Sequence, residues 1–323
     1  MKHFTLKIAA LAMVATFAGG AAATAEEIRY GLWAKEGEAQ YEGAVEFKRV
    51  VEEGSDHTVT IFPANQLGTP REMIAQLALG TTQVMASGDP GIKEIEYLAL
   101  PYLMKAMANY EAVIGSDVGA AWNDKLINQR QIRLLGFMPR NPRQISANKP
   151  INEMADLEGL KLRAPERDYY VKSLAALGAN PTPMAFKEVY TALQTGVVDG
   201  QENPIETIYA QKFYEVQKGV AMVDYIVKPA YVMVGESFWS GLSDADKALL
   251  QEANDASTAK ILELLPEQQK QYIAEMEAAG VAITYPDKAE WIEATQAVRD
   301  ELGTEVWGEA DYKTIAEMGQ QDM

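Results

Sequence analysis

The chain has 323 residues, 48% hydrophobic and 23% charged, the balance of a soluble globular protein with ample material for a core, in two domains or one large one. It has no cysteine, and its two histidines are His3 and His57, so disulfides, thiolate metal sites, cysteine nucleophiles, histidine triads and multi-histidine metal centres are excluded together. With 46 acidic against 29 basic side chains the formal charge is -17, which repels a phosphate backbone and argues against nucleic acid or an anionic membrane surface as a partner.

Lys2, His3 and Lys7 open the chain, an apolar stretch runs from Ile8 to Phe17, and Ala23-Thr24-Ala25 offers a small-x-small cleavage pattern. This reads as a secretory signal peptide cleaved after Ala25, its apolar run being too short to span a membrane. Ile28 to Trp33 then reads as a short strand, Tyr41 to Glu53 as an amphipathic helix, and Thr58 to Phe62 as an alternating strand ended by Pro63. A helix starts at Pro70 and closes at Gly80, and Gln83 to Ser87 is a buried strand. This alternation belongs to an α/β layer.

A second set begins near Gln131. Ile132 to Phe137, Arg143 to Ala147 and Gly159 to Arg163 read as strands. Tyr169 to Leu177 and Lys187 to Thr195 read as helices, the latter followed by a brief strand and turn at Val197 to Gly200. After Pro229 a strand runs from Ala230 to Val234, and Ser243 is the candidate N-cap of a helix from Asp244 to Ala279 that Pro266 interrupts. Val281 to Tyr285 is strand-like and the remainder helical. No repeat, low-complexity tract or Gly/Ser linker divides the chain, so two lobes would be interwoven.

Phosphate-binding glycine loops, HExxH and GxSxG are all absent. Acidic pairs such as Glu94/Glu96 and Asp244/Asp246 read as solvated faces, and His57, in a turn after Ser55-Asp56, as a surface residue. Trp33, at a strand's carboxyl end, is either a core aromatic or a wall of the crevice where open α/β sheets bind ligands. Arg143 and Arg163 lie in or beside otherwise apolar strands. Each either pairs with a nearby acid such as Glu158 or Glu166, or forks onto a ligand carboxylate. Asn203, before Pro204, is either a turn residue or a cleft amide.

The stretch Pro181-Thr-Pro-Met-Ala-Phe-Lys-Glu-Val-Tyr-Thr-Ala-Leu-Gln-Thr-Gly-Val-Val-Asp-Gly-Gln-Glu-Asn-Pro204 closely resembles the signature of the solute-binding subunits of TRAP transporters, the DctP-type family. Gly159 to Pro165, Ala210 to Lys218, Phe62 to Gly68 and Ala99 to Tyr102 extend the likeness over essentially the whole mature chain. The resemblance implies a two-lobed α/β periplasmic binding protein, with a mixed sheet in each lobe, a ligand cleft between lobes and a long helix spanning both. It places lobe 1 at residues 26–140 plus 229–268 and lobe 2 at 141–228 plus 269–323. It implies no catalysis, a periplasmic location, and the small and large membrane subunits of a permease as partners; no cofactor or metal is expected, and a monomer is expected over a dimer.

By the same resemblance Arg163 anchors a substrate carboxylate, Arg143 assists, Phe186 lines the pocket and Asn203 hydrogen-bonds the carboxylate or its neighbour. The second half is most similar to sialic-acid-binding members, but the first half departs from them. Trp33 stands where they carry asparagine, Thr69-Pro70 where they carry an acidic pair, and the loop at Ser87-Gly88-Asp89 is shorter. Trp33, Tyr169 and Tyr170 offer a stacking surface, while Asp89 and Glu166 offer acceptors for hydroxyls. A sugar acid such as a uronate or aldonate is the expected ligand. An aromatic or aliphatic acid and an ectoine-type zwitterion are the alternatives.

Overall fold

The computed structural model describes residues 25–322, so the signal-peptide reading of the first residues lies outside the described residues apart from Ala25. The chain begins with β1 (Glu27–Gly31), α1 (Ala39–Gly54), β2 (Thr58–Phe62), α2 (Pro70–Leu79) and β3 (Val84–Ser87). Helices α3 (Lys93–Glu96), α4 (Met107–Ile114) and α5 (Asp117–Arg130) lead to β4 (Ile132–Met138). Next come β5 (Arg143–Ala147), β6 (Lys161–Ala164), α6 (Asp168–Ala176), β7 (Asn180–Pro183), α7 (Val189–Gln194), β8 (Gly200–Pro204), α8 (Ile205–Ala210) and β9 (Gly219–Ile226). The last part holds β10 (Ala230–Gly235), α9 (Glu236–Gly241), α10 (Asp244–Ala278), β11 (Ala282–Thr284), α11 (Ala289–Ala294), α12 (Gln296–Trp307) and α13 (Glu309–Gln320).

The strands form two mixed sheets, one per lobe, in the orders β2-β1-β3-β10-β4 and β11-β9-β5-β8-β6-β7. In the first, β1, β2 and β3 run parallel, and β10 lies antiparallel between β3 and β4. In the second, β5 runs antiparallel to both β8 and β9, while β6 runs parallel to β7 and β8. The chain passes from one sheet to the other through residues 139–142, between β4 and β5, and returns through 227–229, between β9 and β10. Polar side chains at these crossovers therefore sit where the lobes meet.

Helix α10 is the third link. Its first half packs on α1 so closely that a Cβ on Gly43 would stand 2.5 Å from the Ile261 side chain. Thr258 Oγ1 donates to the Phe137 carbonyl at 2.9 Å, fixing the helix to β4. Its far end stacks Tyr272 on Tyr209 of α8, ring centroids 4.3 Å apart. At the C-terminus, Trp307 stacks on Trp122 at 6.2 Å and donates its indole N–H to the Glu94 carbonyl, while Asn109 Nδ2 donates to Met318 O at 2.8 Å. The final helices are thus tied onto α3–α5, and Lys172 on α6 meets Glu301 of α12 at 2.7 Å.

Some local expectations need correction. Pro266 does not interrupt α10, which runs unbroken because its flanks are held by packing on both lobes. The turn expected at Val197 to Gly200 is present as a bend, but the strand is displaced: it is Gly200–Pro204, buried throughout between β5 and β6. Trp33 lies just beyond β1, which ends at Gly31. His57 is no surface residue. It is 4% exposed, its Nδ1 accepts from the Glu26 amide at 3.0 Å, and its Nε2 lies 3.5 Å from Asp246 Oδ1 of α10.

Candidate functional site

Strands β5, β8 and β6 lie side by side, and their register gathers the candidate polar residues. Arg143 pairs with Pro204, Gln144 with Asn203, and Arg163 with Gln201. Arg143, Arg163, Glu202 and Asn203 are all buried, at 6%, 3%, 0% and 5% exposure. A buried charge needs a partner or it costs several kcal/mol, so the bonds these groups make decide what the cluster can do.

Arg143 is paired with a countercharge inside the protein, while its Nη1 donates to none of the described residues. Its Nε and Nη2 fork onto the Glu202 carboxylate, the Nη2–Oε1 arm at 2.7 Å, and Nη2 also reaches Glu202 O at 3.0 Å and Asn203 Oδ1 at 3.1 Å. The Tyr225 hydroxyl donates to Glu202 Oε2 at 2.6 Å, and Asn203 Nδ2 donates to Gln201 Oε1. Burial works against the Arg143 charge, but Glu202, with Tyr170 and Tyr225 adding to it, outweighs burial and holds the guanidinium well above its ordinary range.

Arg163 is different. Its Nε and Nη2 donate to the carbonyl of Met184 at 3.1 and 2.9 Å, and among the described residues no carboxylate oxygen lies within 4.0 Å of it. Phe186 lies beside it, guanidinium carbon to ring centroid 5.9 Å, and is itself 42% exposed. Burial pulls this guanidinium below its ordinary range, Arg143 pushes the same way, and Glu202 opposes both. A carbonyl supplies a dipole and no countercharge. Arg163 is therefore a desolvated cation with donors left for an incoming anion.

Arg140, in the crossover from β4 to β5, forms a second buried ion pair that sequence reasoning missed. Its Nε lies 3.4 Å from Glu206 Oε1, its Nη2 donates to Thr207 Oγ1 at 2.7 Å, and it stacks over the Trp33 ring at 5.0 Å. Trp33 therefore faces a guanidinium. The signal was present in Pro139-Arg-Asn-Pro142, a cation trapped between two prolines at a sheet-to-sheet crossing.

The remaining candidates divide. The Tyr169 and Tyr170 rings lie in tilted contact, centroids 4.3 Å apart, and Arg143 sits 5.0 Å over Tyr170, so this pair belongs to the cluster. Asp89 does not share it as a free acceptor: its Oδ1 takes the Gly91 amide and its Oδ2 pairs with Arg167 Nη2 at 3.1 Å. The same Arg167 holds Glu96 at 2.8 Å, and the Tyr97 hydroxyl bonds Asp168, so these groups bridge the two sheets' loops. Glu166 is exposed, and its carbonyl accepts from Arg167 Nη1 at 3.2 Å. Among the described residues no cluster of His, Cys, Asp and Glu could hold a metal ion, and no helix is long and apolar enough to cross a membrane.

The arrangement can bind and orient an anion. The sequence is 33% identical over 94% of this chain and 96% of its relative to the sialic acid-binding periplasmic protein SiaP of Vibrio cholerae. Among solved structures, it is similar to a TRAP periplasmic solute binding protein from Roseobacter denitrificans with bound L-galactonate, at TM-score 0.79 and 30% identity over 91% of this chain and 98% of that one. One from Polaromonas bound to D-erythronate gives TM-score 0.82 and 27% identity, covering 92% and 99%. Residues 30–305 match the family described as Bacterial extracellular solute-binding protein, family 7. The chain thus belongs to the DctP family, the non-enzymatic, periplasmic solute-binding components of TRAP transporters.

Proposed function

We propose that this protein captures a sugar acid, of the uronate or aldonate class, and presents it to the small and large membrane subunits of a TRAP permease. The observation that carries this reading is Arg163, a buried arginine whose side-chain partner is a single carbonyl. A carboxylate about 4 Å from it gains roughly 4 kcal/mol at an effective dielectric of 20. A neutral solute would leave that charge uncompensated. Arg143 and Asn203, locked together by Glu202 and Gln201, form the fixed wall against which the acid is oriented, and Phe186 covers it. The hydroxyl-rich class is supported by the polar residues around the cluster, and by relatives and structural neighbours that bind 2,3-diketo-L-gulonate, L-galactonate and D-erythronate.

Capture works as a population shift: the anion stabilises the arrangement in which both lobes meet around it. The mature chain is expected to begin at Glu26 after cleavage and to act as a monomer. A thermal-shift panel on the ligand-free mature protein tests the reading. At 100 times its dissociation constant a ligand adds about 2.7 kcal/mol, a rise of about 5 °C in the melting midpoint for a protein this size. Uronates and aldonates should give that rise and the matched neutral sugars none. Shifts by neutral sugars alone would overturn it.

A further inference from the structure

Lys228 is a second buried cation of the cleft without a carboxylate. It is 8% exposed, and among the described residues no carboxylate oxygen lies within 4.0 Å of it. Its ammonium makes one hydrogen bond, donating to the Tyr169 hydroxyl at 2.9 Å, and lies 5.6 and 5.8 Å from the Tyr169 and Tyr170 ring centroids. An ammonium has three N–H donors. Two ring faces ease its desolvation but accept no conventional hydrogen bond, so two donors are left for an oxygen that the fold does not supply.

Its place relative to Arg163 gives this meaning. Lys228 follows β9 in the crossover to β10, and Ile226 at the end of β9 pairs with Arg143 on β5. In the order β9-β5-β8-β6, Lys228 therefore stands at one side of the Arg143–Glu202 pair and Arg163 at the other. Neighbouring strands are about 4.8 Å apart, so β9 and β6 lie about 14 Å apart, a span that a six-carbon acid bridges only together with the two long cationic side chains. Arg143 and Lys228 share the Tyr170 ring, at 5.0 and 5.8 Å, which places Lys228 along the same wall as the anion clamp.

We propose that Lys228 reads the far end of the bound solute, donating to an oxygen beyond its fourth carbon while Arg163 holds the carboxylate, so that it sets the preference for six-carbon over four-carbon sugar acids. This rests on the sugar-acid reading above. A site built to donate to a substrate oxygen discriminates strongly against a ligand lacking it, because the buried donor is then left unpaired.

The test is calorimetric titration of L-galactonate and D-erythronate into the wild type, Lys228→Met and Arg163→Gln, with the melting midpoint of each variant as a check on folding. The wild type should bind galactonate at least tenfold more tightly than erythronate. Lys228→Met should lose tenfold or more on galactonate and less than threefold on erythronate, erasing the preference. In the wild type, slowed exchange of the Lys228 ammonium protons, followed by NMR of 15N-labelled lysine, should appear with galactonate and not with erythronate, a change that a purely structural lysine would not show. Equal losses for both acids, or galactonate affinity within threefold of wild type, would overturn the proposal while leaving the sugar-acid reading intact if both acids still need Arg163. If neither acid binds the wild type, both readings fall.

Discussion

Arg143 and Arg163 carry the same guanidinium into the same cluster and end in opposite states of charge balance. Glu202 takes up one, and a carbonyl alone faces the other. The difference arises from register. β8 presents Glu202 and Asn203 to Arg143 across an antiparallel pair, whereas Arg163 meets Gln201 across a parallel one and turns to Met184. Removing one partner of a buried pair costs about 3–5 kcal/mol, so Glu202→Gln should destabilise the ligand-free protein by that order. A saturating sugar acid should recover part of the loss by supplying the missing charge. Denaturant titration with and without ligand measures both, and a loss below 1 kcal/mol would mean that water reaches Arg143. The two arginines stood out in the sequence because a charged residue in or beside an otherwise apolar strand is conspicuous, whereas Asn203 read only as a turn residue or a cleft amide before Pro204, and the binding roles of all three came from the family resemblance. Lys228 did not stand out, since a single lysine before a proline has no spacing to mark it.

The elements show where pattern reading works and where it stops. The start of α2 was legible from its proline, and Thr69 and Glu72 close a capping box there. Ser243 likewise caps α10, accepting from the Asp246 amide at 3.1 Å and donating to its carboxylate at 2.7 Å. The Ser243 bond holds the Asp246 carboxyl below the usual range, and His57 adds to the effect. A carboxyl depressed in the folded state stabilises above its ordinary pKa near 3.9 and loses that contribution as pH falls through the depressed value. Asp246→Asn should therefore cost about 1 kcal/mol at pH 7, and its deficit against wild type should shrink towards zero in urea melts as the pH falls through the depressed value. A deficit constant with pH would remove the charge from the account. By contrast, β9 was missed because seven of its eight residues are buried, leaving no alternation to read. The run α3–α5 escaped notice because its helices are short or have mixed faces, and the C-terminal helices that cover them are distant in sequence.

At the scale of the molecule, three links join the lobes: residues 139–142, residues 227–229 and α10. Along α10, Leu265 ends the core shared with α1, and Tyr272 and Met276 enter the core around α8 and β9. Pro266 sits between them, where its missing amide leaves the Leu262 carbonyl without a helical partner. Pro266→Ala should raise stability by about 1 kcal/mol or more, and a lowered melting midpoint in calorimetry would show that the proline's packing outweighs its lost bond. The two-lobed plan was legible as a resemblance carried by the Pro181–Pro204 stretch. Which polar groups the crossovers bury together was not, because that depends on how two sheets approach. The central claim is that a ligand carboxylate neutralises Arg163. It is tested most directly by calorimetric titration of L-galactonate into wild type and Arg163→Gln at matched ionic strength. The account predicts at least a hundredfold loss of affinity in a variant that remains folded, and Arg163→Gln binding within threefold of wild type would contradict it.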